Sequence, residues 1–256
     1  MLHRVLKKEP SNHYYFQRQT AISWPRFIHL LDEIEANKKI TKTLSKLNRS
    51  NTDNTVYISF DDGYIDNTHA LDEILRRNMV ATLFPVKSFI QQGFSVIDDM
   101  AHHLILCNEV HPDQRRSLTS GKLKKILRRV TPRRYRQLRQ ACFKINRDAE
   151  SPSLFMSEKK LKHYIAQGIE VGIHGVSHRI FTCLSNKSLR AELHESQQWL
   201  YSLGAHGVLP ICFPHGAHDA STVTTCLQMG SPLLGVDSPP KHTSVWQRIW
   251  IKEKSY

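Results

Sequence analysis

Two short segments of the chain carry residue types that could do chemistry. The segment Ser59–Tyr64, with the sequence SFDDGY, offers two adjacent carboxylates, and the segment His174–His178, with the sequence HGVSH, offers two imidazoles four residues apart. Two histidines and one carboxylate on a divalent ion leave coordination positions open, which is typical of a catalytic rather than a structural site. A neighbouring carboxylate that stays off the ion can take a proton from water. Together the two segments therefore predict metal-assisted hydrolysis.

Each segment alone has an ordinary explanation. Asp-Asp-Gly is a common turn between a strand and a helix, and a chain with 15 histidines places some of them four apart by chance. The joint occurrence of the two segments, each directly after a predicted strand, favours a site over these explanations.

The elements that must position the two segments alternate between strand and helix. Strands are predicted at 55–60, 81–86, 169–174, 208–213, 233–236 and 248–251, and helices at 21–37, 65–77, 157–167, 188–203 and 220–229. The strand segments are rich in β-branched and aromatic residues, and the helical segments repeat their apolar residues at helical spacing. Such alternation implies a parallel sheet, whose strands all end at the same edge. We therefore expect an α/β fold that brings both segments to that edge.

The positive charge of the chain is concentrated in one segment. Between residues 115 and 147 there are thirteen lysines and arginines and no acidic residue, while the whole chain of 256 residues carries a net charge of +13. The rest of the chain is therefore balanced, and the excess belongs to one structural element. We predict a basic helical insert at 100–152, a hairpin of two helices that meet near Thr131–Pro132, within one domain spanning 1–256.

The chain resembles the polysaccharide deacetylase family, which is also called the NodB-homology family or carbohydrate esterase family four. The resemblance is carried by YISFDDGY at 57–64, ATLF at 81–84, EVGIHGVSH at 170–178 and CFPHG at 212–216. It covers most of the span from Thr55 to His218 outside the insert. It implies a distorted, incomplete (β/α) barrel of about seven strands and the removal of N- or O-acetyl groups from sugars.

The resemblance also implies roles for the residues of the two segments. Asp61 would be the general base, and Asp62, His174 and His178 would bind a divalent metal ion. We expect zinc, while iron, cobalt and nickel accept the same ligands.

Further residues around the site follow from the later motifs. Pro214 and His215 fall where the family carries a proline followed by an aromatic residue, whose backbone N–H helps to bind the oxyanion. We group Tyr64 with them as a substrate-binding residue and count His215 among the catalytic candidates as well. Where some members have an arginine that orients the catalytic aspartate, this chain has Cys212, and Arg248 resembles a late arginine of other branches. Arg248 is therefore the third catalytic candidate, beside Asp61.

The general acid stays unassigned. The family's late Leu-x-x-His motif, whose histidine protonates the leaving amine, is not found in this sequence. His215, His218 and His242 are considered for the role, each with an ordinary surface or cavity position as the alternative.

These observations predict a metal-dependent hydrolase that deacetylates a sugar of a surface polysaccharide or of its lipid-linked or nucleotide-linked precursor. Two alternatives keep the same fold: an enzyme that removes another acyl group, such as an N-deformylase, and a catalytically inactive sugar-binding member. Nucleic-acid binding is disfavoured, because the basic segment is accompanied by no recognised nucleic-acid-binding module.

The expected cellular location follows from two kinds of segment that the sequence lacks. No apolar run approaches the roughly 18 residues that a membrane span needs, and the N-terminal segment lacks the apolar stretch of a secretory signal. We therefore expect a soluble, cytoplasmic protein. Two interpretations of the basic residues 115–147 stay open: a peripheral contact with anionic lipid at the inner membrane face, or a solvated basic surface whose apolar stripe docks on the barrel.

Overall fold

A computed structural model describes residues 1–7, 14–17, 19–47, 54–92, 154–236 and 244–253, together with residues 133, 134 and 137. The strands are β1 (Arg4–Leu6), β2 (Ala21–Ser23), β3 (Ile40–Thr41), β4 (Thr55–Val56), β5 (Ile58–Asp62), β6 (Ala81–Pro85), β7 (Glu170–Val171), β8 (Ile211–Cys212), β9 (Leu233–Gly235) and β10 (Val245–Gln247). The α-helices are α1 (Tyr14–Gln17), α2 (Trp24–Ala36), α3 (Asn67–Arg76), α4 (Lys87–Gln92), α5 (Glu158–Ala166), α6 (Asn186–Ser202) and α7 (Ala220–Leu227).

The six pairings between these strands are all parallel. They form the sheets β1–β2, β3–β4, β5–β6–β7 and β8–β9–β10. Parallel neighbours need a connection that crosses back over the sheet, and a helix such as α3, between β5 and β6, supplies it. The predicted mixed α/β fold with parallel sheets is confirmed.

Short contacts join these sheets to one another. Leu2, just before β1, pairs with Phe60 of β5, and the Leu2 N–H donates to the Ser59 carbonyl at 2.8 Å. Ile173, just after β7, pairs with Ile211 of β8. The N-terminal residues therefore lie beside β5, and the β7 segment leads into the sheet that β8 begins.

The core lies between β5 and the helices that cover it. All five residues of β5 are buried, as expected of a parallel strand covered on both faces. Phe60 packs against Phe27 of α2 with ring centroids 6.2 Å apart, and Leu71 of α3 belongs to the same cluster. Ser59 and Asp61 alternate with Phe60 along the strand and so face the opposite side. β5 thus presents apolar side chains to the helices and polar side chains to the site described below.

Several predicted elements differ from the structure in their bounds. The strands predicted at 169–174 and 208–213 are shorter, at Glu170–Val171 and Ile211–Cys212, and the strand predicted at 55–60 is divided between β4 and β5. The helix predicted at 21–37 begins at Trp24, because Ala21–Ser23 pairs with β1 as strand β2. Ser23 caps this helix as predicted, since its hydroxyl accepts from the Arg26 N–H at 3.4 Å. The strand predicted at 248–251 is wrong: the strand lies at Val245–Gln247, where it pairs with Leu233–Gly235 of β9.

Part of the sequence prediction lies outside the described residues. The basic insert predicted at 100–152 is described only at residues 133, 134 and 137, and His242 is also outside the described residues. Among the helices that are described, none has both the length and the apolar character needed to cross a membrane.

Candidate active site

Asp62, His174 and His178 come together where two strand segments end. Asp62 is the last residue of β5, where a φ of 70° turns the chain, and both histidines follow β7. Gly63 continues the turn at a φ of 85°, a conformation that glycine adopts without strain. Nε2 of His174 lies 3.5 Å and Nε2 of His178 lies 3.2 Å from Oδ1 of Asp62. The structure therefore brings together the three residues that the resemblance assigns to a metal ion.

The three side chains fit a divalent cation. Oδ1 of Asp62 is buried and accepts no hydrogen bond from the described residues, which is costly for a carboxylate oxygen unless a cation faces it. Nδ1 of His174 lies 2.9 Å from the Cys212 carbonyl. Because a carbonyl can only accept, Nδ1 carries the proton, and Nε2 is left to face Asp62. One carboxylate oxygen and two imidazole nitrogens, all within 4.8 Å of one another, form a ligand set that zinc accepts.

The charges around these residues also favour a cation. Burial would raise the pKa of Asp62, but His178 and His174 beside it hold that pKa well below its usual range. Burial likewise opposes charge on His174, yet the acidic groups of Cys212, Asp62 and Asp61 raise its pKa well above the ordinary value. The site thus stabilises positive charge, whether protons or a metal ion supply it.

Asp61 is held by an arginine rather than by the histidines. Arg248 Nη1 donates to Oδ1 of Asp61 at 2.7 Å, and Nη2 donates to Oδ2 at 2.8 Å. The same guanidinium donates to Ser59 Oγ at 3.2 Å and to Cys212 Sγ at 2.8 Å. Burial would raise the pKa of Asp61, but Arg248 lowers it to about 2. Asp61 is therefore ionised at neutral pH, and Arg248 lies where it can orient this carboxylate.

Glu192 of α6 fixes the loop between the two histidines. Its Oε2 accepts from the Val176 N–H at 2.6 Å and from the Ser177 N–H at 3.0 Å, and its Oε1 accepts from the Ser177 hydroxyl. The loop passes so close that a Cβ added to Gly175 would lie 3.1 Å from Oε2. The sequence analysis missed Glu192, because no motif marks a contact between this loop and a helix that begins several residues later.

The residues predicted to bind the oxyanion lie around one cavity, with one exception. His215 has a φ of 58° within the turn Pro214–Gly216, and its ring centroid lies 4.6 Å from that of His178. His215 and the buried Tyr64 line a cavity of about 170 Å³, which the three candidate metal ligands also line. Pro214 is buried beneath the turn and is not part of this lining.

His3 is a cavity residue that the sequence analysis missed. It lines the same cavity as Asp61 and Asp62, and its ring lies close enough to influence the charge of both carboxylates. Its backbone carbonyl accepts from Asn67 Nδ2 at 2.8 Å, and its ring centroid lies 5.2 Å from that of Trp250. The sequence signal for His3 is its position next to the first apolar residues of the chain. That position becomes informative only once strand β1 is known.

The other histidines considered as the general acid are placed differently. Nδ1 of His218 lies 2.9 Å from the Gly216 carbonyl, and its ring stacks on Phe213 outside the cavity lining. Within the described part of the chain, His3 and His215 are therefore the cavity histidines besides the candidate metal ligands.

Solved structures with a similar fold include two deacetylases and the protein IcaB. The deacetylase PplD of Streptococcus pyogenes, solved in complex with acetate, is 14% identical with a TM-score of 0.56, over 92% of this chain and 81% of that one. A polysaccharide deacetylase from Bacillus cereus is 14% identical with a TM-score of 0.61, over 97% of this chain and 63% of that one. IcaB from Ammonifex degensii is 14% identical with a TM-score of 0.59, over 98% of this chain and 91% of that one.

These similarities support the same fold, while the family follows from the sequence. No curated protein matches this chain by sequence. A family model described as "Polysaccharide deacetylase" matches residues 48–233, a span that includes both the SFDDGY and the HGVSH segments. Because this match extends over well more than half of the chain, the protein belongs to the polysaccharide deacetylase family.

Proposed function

We propose that this protein is a metal-dependent hydrolase that removes acetyl groups from an amino sugar of a surface polysaccharide or of its precursor. The observation that carries the proposal is the buried Oδ1 of Asp62. This oxygen faces two imidazoles and accepts no hydrogen bond from the described residues. The next carboxylate along the chain is the ionised Asp61. The acetate bound to PplD is the acid that a deacetylation releases, and it supports acetyl as the acyl group here.

A divalent ion on Asp62, His174 and His178 would polarise the acyl carbonyl and make water beside it more acidic. Zinc is the first choice for this ligand set, and iron, cobalt and nickel follow. Asp61 takes the proton of the attacking water as general base. Because its pKa is about 2, Asp61 is ionised but weakly basic, and so it needs a water that is already acidified.

The remaining steps use two further residues of the cavity lining. The His215 backbone N–H donates to the oxyanion that forms when water adds to the carbonyl carbon. When the C–N bond breaks, His3 gives its proton to the leaving nitrogen. We assign this acid to His3, which lines the cavity close to both aspartates. His218 lies outside the lining, and the ring of His215, the other cavity histidine, lies against the candidate ligand His178.

We further propose that the parallel sheets form an incomplete barrel of about seven strands and that 1–256 is one domain with an insert at 100–152. The pairing of Leu2 with β5 and of Ile173 with β8 supports this arrangement. We also propose a cytoplasmic protein whose basic residues 115–147 contact an anionic membrane.

The function is tested by metal analysis together with product assays. We expect wild type to contain close to one divalent ion and to release acetate from N-acetylated sugars. His174→Ala loses both the metal and the activity, because a ligand is removed. Asp61→Asn keeps the metal and loses about 10²- to 10⁴-fold in kcat, the range attributed to a general base.

Other outcomes separate the alternatives. Release of formate from an N-formylated sugar with no release of acetate would assign the site to a deformylase. Wild type that binds sugar but contains no metal, even after reconstitution, would contradict the proposal and identify an inactive sugar-binding member.

A further inference from the structure

A second cavity, of about 680 Å³, lies next to the active site. It extends between β5 and β10, which belong to different sheets, from helix α2 to the side chains of Tyr57 and Trp246. Met1 and Arg248 line this cavity and also the catalytic cavity. The two cavities are therefore neighbours, with the Arg248 guanidinium at their common border.

The lining of the larger cavity is aliphatic over most of its length. Helix α2 contributes Leu30, Leu31 and Ile34, and the opposite wall includes Leu47 and Leu234. Cavities of about 300 to 1,000 Å³ with such walls and a few polar groups commonly bind small ligands. The aliphatic residues of this lining are complementary to an aliphatic chain, which gains free energy by leaving water.

Three polar residues of the lining do not offer their polar atoms to the cavity. The hydroxyl of Tyr57, both amide atoms of Gln247 and Nε of Arg248 are buried and expose almost no surface, although all three residues line the cavity. The surface that a ligand can reach is therefore mainly that of apolar side chains. Arg248, whose side chain is 7% exposed, marks the border with the catalytic cavity.

The outer surface near both cavities is unusually apolar. Ile249, which lines the larger cavity, is 80% exposed, and its neighbour Trp250, which lines the catalytic cavity, is 37% exposed. Exposed apolar side chains grouped at a cavity indicate an apolar partner.

We propose that the larger cavity binds the aliphatic chain of a lipid-linked acetylated sugar. The chain lies along α2, and the sugar enters the catalytic cavity at the border that Arg248 forms. The identity of the sugar rests on the proposed function, whereas binding of the chain does not.

The test compares glycosides that differ only in their aglycone. Isothermal titration, below the critical micelle concentration, measures the decyl and methyl glycosides of an N-acetylated amino sugar. We expect wild type to bind the decyl glycoside at least ten-fold more tightly, and more tightly than decanoic acid alone. Ile34→Trp, at a half-buried cavity position, should remove the advantage of the chain and leave the methyl glycoside unaffected.

A second cavity variant and a matched control keep the test decisive. Leu47→Trp fills the opposite wall and should have the same effect, so misfolding of one variant does not decide the result. Leu227→Trp on α7 adds the same side chain at a position that is 44% exposed and outside the cavity, and it should keep the advantage. Equal binding of both glycosides by wild type, or decanoic acid binding as tightly as the decyl glycoside, would overturn the proposal. Failure to hydrolyse either glycoside would count only against the proposed function.

Discussion

The pair formed by Arg248 and Asp61 sets the charge of the candidate base. Both side chains are almost completely buried, at 7% and 4% exposure, so each ion depends on the other for compensation. The pKa of Asp61 falls from 3.8 to about 2. Because the folded-state pKa is the lower one, the ionised pair stabilises the protein above pH 3.8, and this contribution is lost as the pH falls towards 2.

Arg248→Met should therefore raise the pKa of Asp61 and move the acid limb of the pH profile of kcat/KM to higher pH. Leaving Asp61 buried without its partner should also cost about 3 to 5 kcal/mol of the free energy of unfolding. Arg248→Lys keeps the charge but not the two parallel hydrogen bonds, so its effects should be smaller. Rate profiles and urea unfolding against pH measure both effects. An acid limb and a pH-dependent stability identical to wild type would contradict the role of Arg248.

Candidate site residues could be identified from the sequence where they belong to recognisable motifs. Those that reach the site only through contacts between distant parts of the chain could not. Asp62, His174, His178, Asp61 and Arg248 were all named from the sequence, and the geometry places the first three around one point and Arg248 on Asp61; their roles stay predictions. His3 was missed, because its place beside Asp61 depends on the pairing of the N-terminal residues with β5. Such pairing is a long-range contact, and nothing in the local sequence encodes it.

At the scale of elements, helix α6 positions a loop of the site through Glu192. Three donors from Val176 and Ser177 converge on this one carboxylate. The loop lies between His174 and His178, so its conformation sets the distance between their rings. Groups that orient metal ligands typically contribute about 10- to 100-fold to metal affinity.

We expect Glu192→Ala to weaken metal binding by about 10- to 100-fold, with an unchanged circular dichroism spectrum. Glu192→Gln retains an acceptor for the two backbone donors and should lie between Ala and wild type. Competition against a chromophoric chelator measures the affinities, and the visible spectrum of the cobalt form reports the ligand geometry. Glu195→Gln is the matched control, because Glu195 lies on the same helix and pairs with Lys87 of α4 rather than with the loop. Wild-type affinity and an unchanged spectrum in Glu192→Ala would disprove the positioning role.

The accuracy of element prediction followed the length of the elements. The long helices and the five-residue strand β6 were predicted close to their observed bounds, because their patterns extend over enough residues. The strand predicted at 55–60 is instead divided between β4 and β5. Strands of two or three residues, such as β1, β3 and β10, were missed or displaced. Their positions are set by the partner strand, as the pairing of Val245–Gln247 with Leu233–Gly235 illustrates.

At the scale of the whole molecule, the excess positive charge belongs to residues 115–147, a segment that contains none of the candidate catalytic residues. Replacing Arg128, Arg129, Arg133 and Arg134 by Gln should weaken binding to vesicles that contain anionic lipid, since each basic residue near such a surface contributes about 1 kcal/mol. Hydrolysis of a soluble acetylated sugar should be unchanged. Vesicle sedimentation at low and high salt measures the binding, which salt should also weaken.

The control for this prediction is a variant with the same loss of charge elsewhere. Lys159, Lys160, Lys162 and Lys187 are exposed on α5 and α6, and their replacement by Gln should leave vesicle binding close to wild type. An equal loss in both variants would mean that net charge alone drives binding. A parallel loss of hydrolysis in the arginine variant would instead place the insert at the active site.

Metal binding should also stabilise the molecule as a whole, because Asp62 is the last residue of β5 whereas His174 and His178 follow β7, and unfolding separates these segments. An ion at 100 times its Kd stabilises the native state by about 2.7 kcal/mol, which corresponds to a Tm increase of about 5 to 10 °C for a chain of this size. A chelator should therefore lower the Tm of wild type by that amount. His178→Ala should have the lower Tm from the start and should not respond to the chelator. A chelator effect of equal size in both proteins would locate the stabilising ion elsewhere.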